Sequence, residues 1–259
     1  SVKRYETIPY FAALADADAL RILGGLEDVA SVVEDIPEPP TPGTDLGLVA
    51  AAPLRGEGVD GAGWSVAVLD TGIDQTRAFL TQRVVSEACY STDSSVSSSL
   101  CPGGEQASTG AGAGARCADN VSGCDHGTRV ARVVAGHGDG VPGVAPGASI
   151  VSMQVFSRFD GRDYCGAATP CVLSWTSDQI AALERVLVLT RTHQIASVAL
   201  SLGAGRYGSD AACDEANGAR KAAIDHLRSV GVAAVISAGS DGYPDGVAAP
   251  GCISTAVAV

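Results

Sequence analysis

Apolar residues along this chain come in short, nearly continuous runs. SVAVL (65–69), SIVSMQV (149–155), IASVAL (195–200), VAAVI (232–236) and ISTAVAV (253–259) have strand length, and their lack of alternation predicts strands buried on both faces. Between them the period changes to that of a helix. The segment 177–191 opens with Thr176 and Gln179 at capping-box spacing and carries Ile180, Leu183 and Leu187 on one face. The segment 214–230 has Asp214 and Glu215 at its start, Arg228 near its end and Gly231 as its stop. Alternating strands and helices predict an α/β fold, a mostly parallel sheet with helices on its faces. In such sheets active sites lie beyond the carboxyl ends of the strands.

Two stretches break the pattern. Residues 10–35 form a compact unit of their own. Asp16 or Asp18 can cap a short helix carrying Leu20 and Leu23, Gly24-Gly25 can end it, and VASVV (29–33) reads as a strand. IPEPPTPG (36–43) has four prolines in eight residues and reads as a stiff, extended linker. The boundary is therefore placed after residue 43, with 1–43 and 44–259 as two units. Residues 89–123 are rich in Ser and Gly, hold three cysteines, and read as a long loop tethered by disulfides.

Composition narrows the function classes. The chain has 259 residues, 46% of them hydrophobic, enough for one substantial core. No run of 18 apolar residues occurs, so no membrane span is expected. The formal net charge of -12 argues against a nucleic-acid partner. Eight cysteines without a CxxC pair argue against a zinc ribbon or a thiol redox motif and for disulfides in an oxidising compartment. Many pairings are open; the local choice is 89–101, 117–124 and 165–171, with 213–252 left over.

The candidate chemistry sits in two segments. VAVLDTGID (66–74) places Asp70 at the end of a buried strand, where an acid is costly unless paired. CDHGTRVARVVAG (124–136) places His126 at the start of a helix that Asp125 or Thr128 could cap without it. If both segments end at one sheet edge, the carboxylate can hold one ring nitrogen and leave the other free as a general base.

VAVLDTGID, HGTRVARVVAG, GVAPGASIVSMQVF, SVALSLGAG and VAAVISAGSDG, in this order, closely resemble the subtilisin-like serine proteases over about residues 60–259. ALADADALRILGGLEDVASVVED resembles the tail of the inhibitory prosegment common in that family. The resemblance implies a subtilisin-like, mostly parallel sheet flanked by helices, incomplete here and preceded by a small α+β prosegment remnant that lacks its first strand. It implies a secreted endopeptidase acting on peptides or proteins, with Asp70 as the triad acid and His126 as the base. Ser201, Leu202 and Gly203 would pair with an extended substrate. Ser240 stands where the family usually carries the oxyanion Asn. The prosegment would be the chain's own inhibitor, with cleavage expected between about Pro42 and Gly58.

Departures from the family pattern are equally visible. No Gly-Thr-Ser occurs, so the nucleophile is not in this sequence. The reading is of a fragment truncated before it and inactive alone. Arg129 and Arg132 replace His and Gly of the family's HGTHVAG, and Ala199 replaces a frequent Asn. Phe79 stands where many members place a calcium-binding Asp, so no metal ligands are assigned, although calcium elsewhere is compatible with the family. The rival reading is a non-catalytic protease-like scaffold or an inhibitory binding module. A GxGxxG match at 138–143 contains Pro142 and follows a helix, against the nucleotide-binding context. His126, His137, His193 and His226 lack zinc-ligand spacing.

Overall fold

The computed structural model describes residues 2–41, 57–118, 120–138 and 142–259. Most of the expected cleavage window, the boundary at 43/44 and the middle of the GxGxxG match lie outside the described residues. Strands β1 (Val2–Arg4) and β2 (Phe11–Ala13) pair antiparallel, followed by α1 (Ala17–Leu23) and β3 (Pro37–Glu38). The remaining strands are β4 (Ser65–Asp70), β5 (Val84–Tyr90), β6 (Ser97–Ser99), β7 (Ala107–Thr109), β8 (Ser149–Gln154), β9 (Ser157–Phe159), β10 (Cys171–Trp175), β11 (Ile195–Leu200), β12 (Ala204–Tyr207), β13 (Ala233–Ile236), β14 (Val247–Ala249) and β15 (Val257–Ala258). The remaining helices are α2 (His126–Ala135), α3 (Arg162–Cys165), α4 (Thr176–Leu189), α5 (Asp210–Ala216) and α6 (Gly218–Ser229).

The central sheet has seven strands in the order β15-β13-β11-β4-β8-β5-β7, parallel except for β7 at the edge. This is the predicted class. Strand alternation sends side chains to opposite faces. On β4, Ala67 and Leu69 enter the larger core with Leu183, Val186 and Ile224, while Val66 and Val68 face Ala131 and Ala135 of α2. The sheet is thus sandwiched between α2 on one side and the α4–α6 pair on the other. Chain order reverses about β4. Its neighbours are β8 and β11, so the carboxyl end of β4 is the switch point, and Asp70 ends that strand.

Several expectations need correction. VASVV is in no ladder; Val32 and Val33 are exposed, with no partner strand to pair with. ISTAVAV supplies a strand only at Val257–Ala258, because Ile253–Ala256 is a turn closed by Ala256 N–H to the Ile253 carbonyl. The helix read at 214–230 is two helices meeting at Asn217, whose backbone leaves the helical region (φ -120°, ψ 29°) and whose amide donates to the Cys213 carbonyl. The Thr176/Gln179 capping box does not form. Thr176 Oγ donates to the Ile36 carbonyl and Gln179 turns inward. The 89–123 stretch is not one loop, since it begins inside β5 and contains β6 and β7. Asp16, by contrast, caps α1 through the Ala19 N–H (2.8 Å), and Gly24 ends it. The three local disulfides form, 89–101, 117–124 and 165–171, and so does 213–252.

Residues 2–10 and 35–41 lie on the sheet-and-helix body. Lys3 donates to Asp178 (2.5 Å) and Ser177 (3.0 Å) at the start of α4, and Glu184 accepts from Glu6 N–H and from Thr7 N–H and Oγ. Ile8 is buried in the main core. IPEPPT is therefore not a free linker: β3 pairs antiparallel with β10.

Candidate active site

The site is assembled where β4 stops. Thr71 N–H donates to Asp70 Oδ1 (2.7 Å), turning the carboxylate back over its own strand end. Gly72, at φ +82°, then reverses the chain; a Cβ there would lie 2.2 Å from the Ala115 carbonyl oxygen. Thr71 Oγ accepts from Gly127 N–H (2.9 Å) and donates to the Cys124 carbonyl (3.2 Å). Thr128 Oγ accepts from Asp74 N–H (3.0 Å). These threonines bind the strand end to the first turn of α2, and the Cys117–Cys124 disulfide secures the approach to that turn. A Cβ on Gly127 would meet the Gly72 carbonyl oxygen at 2.5 Å, so glycine is required for the two segments to approach this closely.

This approach puts the two predicted residues in contact. His126 Nδ1 lies 2.8 and 2.9 Å from the Asp70 carboxylate oxygens, and both side chains are buried. The other ring nitrogen, Nε2, lies 2.7 Å from the carbonyl oxygen of Thr41. Burial opposes charge on this ring. The hydrogen bond and charge of Asp70, aided by the Thr41 carbonyl, nevertheless hold its pKa above the ordinary histidine value. Asp70 fixes the ring orientation, as required of a base whose free nitrogen must point at the reacting group.

The peptide that brings Thr41 here is held on both edges. Thr41 N–H donates to the Ser201 carbonyl (2.8 Å), Gly203 N–H donates to the Pro39 carbonyl (3.2 Å), and Pro40 faces Leu202 in an antiparallel bridge. Ser201 Oγ also reaches the Thr41 carbonyl and hydroxyl at 3.3 and 3.2 Å. On the other edge Glu38 is opposite Ser174 and Pro37 opposite Trp175. Residues 36–41 are an added strand between β10 and the 201–203 segment. Ser201, Leu202 and Gly203, expected to pair with an extended substrate, thus pair here with residues 39–41.

Ser240 does not join this group. It occupies an exposed turn after β13, and among the described residues no hydrogen bond links it to Asp70, His126 or Thr41. Arg132 does not crowd the sheet; it is exposed, with its guanidinium 5.3 Å from the centre of the Phe79 ring. Arg129 pairs with Asp125 on the exposed face of α2. Among the described residues no three His, Cys, Asp or Glu side chains are grouped to hold a metal ion.

Sequence reasoning missed the second wall of the cleft. CVLSW (171–175) forms β10, and its signal was an apolar run hidden between Cys171 and the helix start. It also missed that Glu38 lies buried against Gln179 and Arg220. A lone acid among four prolines and a Gln without its capping partner were the only traces.

Residues 61–259 match the Subtilase family. Among solved structures, "Sphericase" is 23% identical with a TM-score of 0.55, over 77% of this chain and 53% of that one. "S41 Psychrophilic Protease" is 24% identical with a TM-score of 0.54, again over 77% and 53%. The chain spans about half the length of these structures, and the likeness concerns the fold. With the match running from just before β4 to the last residue, the chain belongs to the subtilase family.

Proposed function

We propose that this chain is the N-terminal part of a secreted subtilisin-like serine endopeptidase, with residues 1–43 a prosegment remnant that occupies the cleft of its own catalytic unit. Asp70 is the triad acid and His126 the general base. The nucleophilic serine is supplied by sequence not present here. One observation carries the reading: a buried imidazole is held by a carboxylate on one nitrogen while the other faces the backbone carbonyl of an added strand.

The mechanism follows from those contacts. The substrate lies as residues 36–41 do, its backbone paired with 201–203 and β10, which fixes a carbonyl beside Nε2. The neutral imidazole takes the proton of the serine hydroxyl through Nε2 as that oxygen attacks, and Asp70 stabilises the resulting imidazolium. The imidazolium then returns the proton to the leaving amine. Ser240, as the proposed oxyanion donor in place of Asn, must move or act from a shorter reach, because it lies outside the present network.

In this register Thr41 is the carbonyl donor, and the first bond offered is Thr41–Pro42. Proline makes this bond a tertiary amide with a secondary amine as leaving group, which favours a tail that stays bound over one that is cut quickly. Release then falls at or beyond Pro42.

The test uses the full-length parent. It should hydrolyse generic peptides, take up a serine-directed covalent inhibitor, and lose activity by more than about 10³-fold on His126→Ala. The 259-residue chain should show no turnover. Neither labelling nor turnover by the parent would favour the non-catalytic scaffold. A mature N-terminus upstream of Ile36, found by mass spectrometry, would contradict the prosegment assignment.

A further inference from the structure

The carboxylate of Glu38 has no role in the chemistry above, yet it is among the most thoroughly enclosed charges in the molecule. Its exposure is 2% and that of its partner Arg220 is 4%. Arg220 Nη1 lies 2.7 Å from both Glu38 oxygens and 3.1 Å from Gln179 Oε1. Gln179 Nε2 donates to Glu38 Oε2 (3.0 Å). Arg220 Nη2 donates to Asn217 Oδ1, and Asn217 is itself braced on the Cys213 carbonyl. Glu38 is the third residue upstream of Thr41, whose carbonyl faces His126.

Ownership of these groups separates a substrate pocket from a mere fold contact. Arg220, Gln179 and Asn217 all belong to the family-matched part of the chain; only Glu38 comes from the N-terminal segment. The backbone pairing along the cleft is indifferent to side chains, so discrimination must come from pockets. When the segment leaves, Arg220 keeps a guanidinium aimed into the vacated cavity, with Gln179 and Asn217 unable to neutralise it. An apolar occupant would leave that charge dry and unpaired, the costly case, whereas a carboxylate restores every contact.

We propose that Arg220, Gln179 and Asn217 form the subsite for the side chain three residues upstream of the scissile carbonyl, and that this subsite selects acidic side chains. The substrates are peptides or proteins with Glu at that position. This rests on the protease reading above, and Glu38 is the intramolecular occupant that mimics them.

The first test takes the full-length parent and a set of peptides identical except for Glu, Gln, Leu or Lys at that position. The Glu peptide should show kcat/KM at least about tenfold above Gln and Leu, with Lys poorest, the scale expected when one partner of an enclosed charge pair is lost. Arg220→Met should erase the Glu preference, and Arg220→Glu should move it toward Lys. Equal rates for Glu, Gln and Leu with the wild-type enzyme overturn the proposal without needing any variant to fold.

If wild type cuts none of the peptides, the protease reading fails, and the pocket is judged by hydrogen exchange in the 259-residue chain. Glu38→Gln and Arg220→Met should each speed exchange across 36–41 by about tenfold or more, and the double variant should be little faster than either. Exchange there unchanged by both, or additive effects, overturns the pocket.

Discussion

His126 contacts a carboxylate through one nitrogen and a carbonyl through the other, and both contacts need a proton on the ring. Only the imidazolium donates in both directions. The neutral ring with its proton on Nδ1 turns a lone pair on Nε2 toward the Thr41 oxygen; the other tautomer does the same to Asp70. The charged groups that act on the ring are Asp70, which holds the pKa up, and the more distant Arg129, which opposes it. The contact with the Thr41 carbonyl needs the charged ring, so it is lost as pH rises through the raised value. Docking of residues 36–41 should therefore weaken on the alkaline side. Hydrogen exchange followed from roughly pH 5 to pH 10, corrected for intrinsic rates, should show opening that speeds up as the ring loses its proton, and Asp70→Asn should flatten the profile. Gly127 sets the distance on which this depends. Gly127→Ala places a methyl 2.5 Å from the Gly72 oxygen, so the strand end and helix start must separate. A loss of about 1–3 kcal/mol in urea unfolding is expected, and the His126 resonance should move with it.

At the scale of elements, β1 and β2 illustrate a hairpin too small to be stable alone, held by what it lies on. Lys3 is its anchor. Asp178 is fully buried in the first turn of α4, and Thr92 supplies two further donors, but among the described residues Lys3 alone offsets its charge. Lys3→Met should cost on the order of 2 kcal/mol, less than for a fully dry pair because a quarter of Lys3 stays in water. Limited proteolysis should then cut between residues 2 and 13 before the body of the protein is touched. This anchor was not legible in the sequence, since Lys3 and Asp178 are 175 positions apart and neither breaks a local pattern. What was legible were features that one segment specifies by itself. The buried runs at 65–69 and 195–200, the Asp16 cap and the short-range disulfides belong to this class, as does Asp70 at a strand end. Two of the misreadings share one cause. Gln179 and the proline run looked like a capping residue and a linker, because their partners come from elsewhere in the chain. Tertiary contact overrode local preference at the places that form the cleft.

Across the whole molecule, the four cross-links follow the walls of that cleft. Cys117–Cys124 precedes His126, Cys165–Cys171 leads into β10, Cys89–Cys101 ties the loop after β5, and Cys213–Cys252 joins α5 to the turn after β14. The sheet and helices bury the apolar residues, but the cleft is made of connections at the strand ends, which have little core of their own. Covalent closure substitutes for that missing burial. The span of Cys213–Cys252, 39 positions, is the longest of the four, so its removal should release the most unfolded-chain entropy, about 4 kcal/mol against roughly 2 for a loop of six or seven. The Cys213→Ala/Cys252→Ala double variant should consequently lower the urea midpoint more than Cys165→Ala/Cys171→Ala. It should also loosen Asn217, which is braced on the Cys213 carbonyl, and through it Arg220. Exchange across 36–41 would then rise in the first variant and stay nearer wild type in the second, although Cys171 is the first residue of β10. Equal midpoints for the two variants would mean that loop size does not govern these bonds. A cleft so dependent on cross-links should be lost progressively under a thiol reductant.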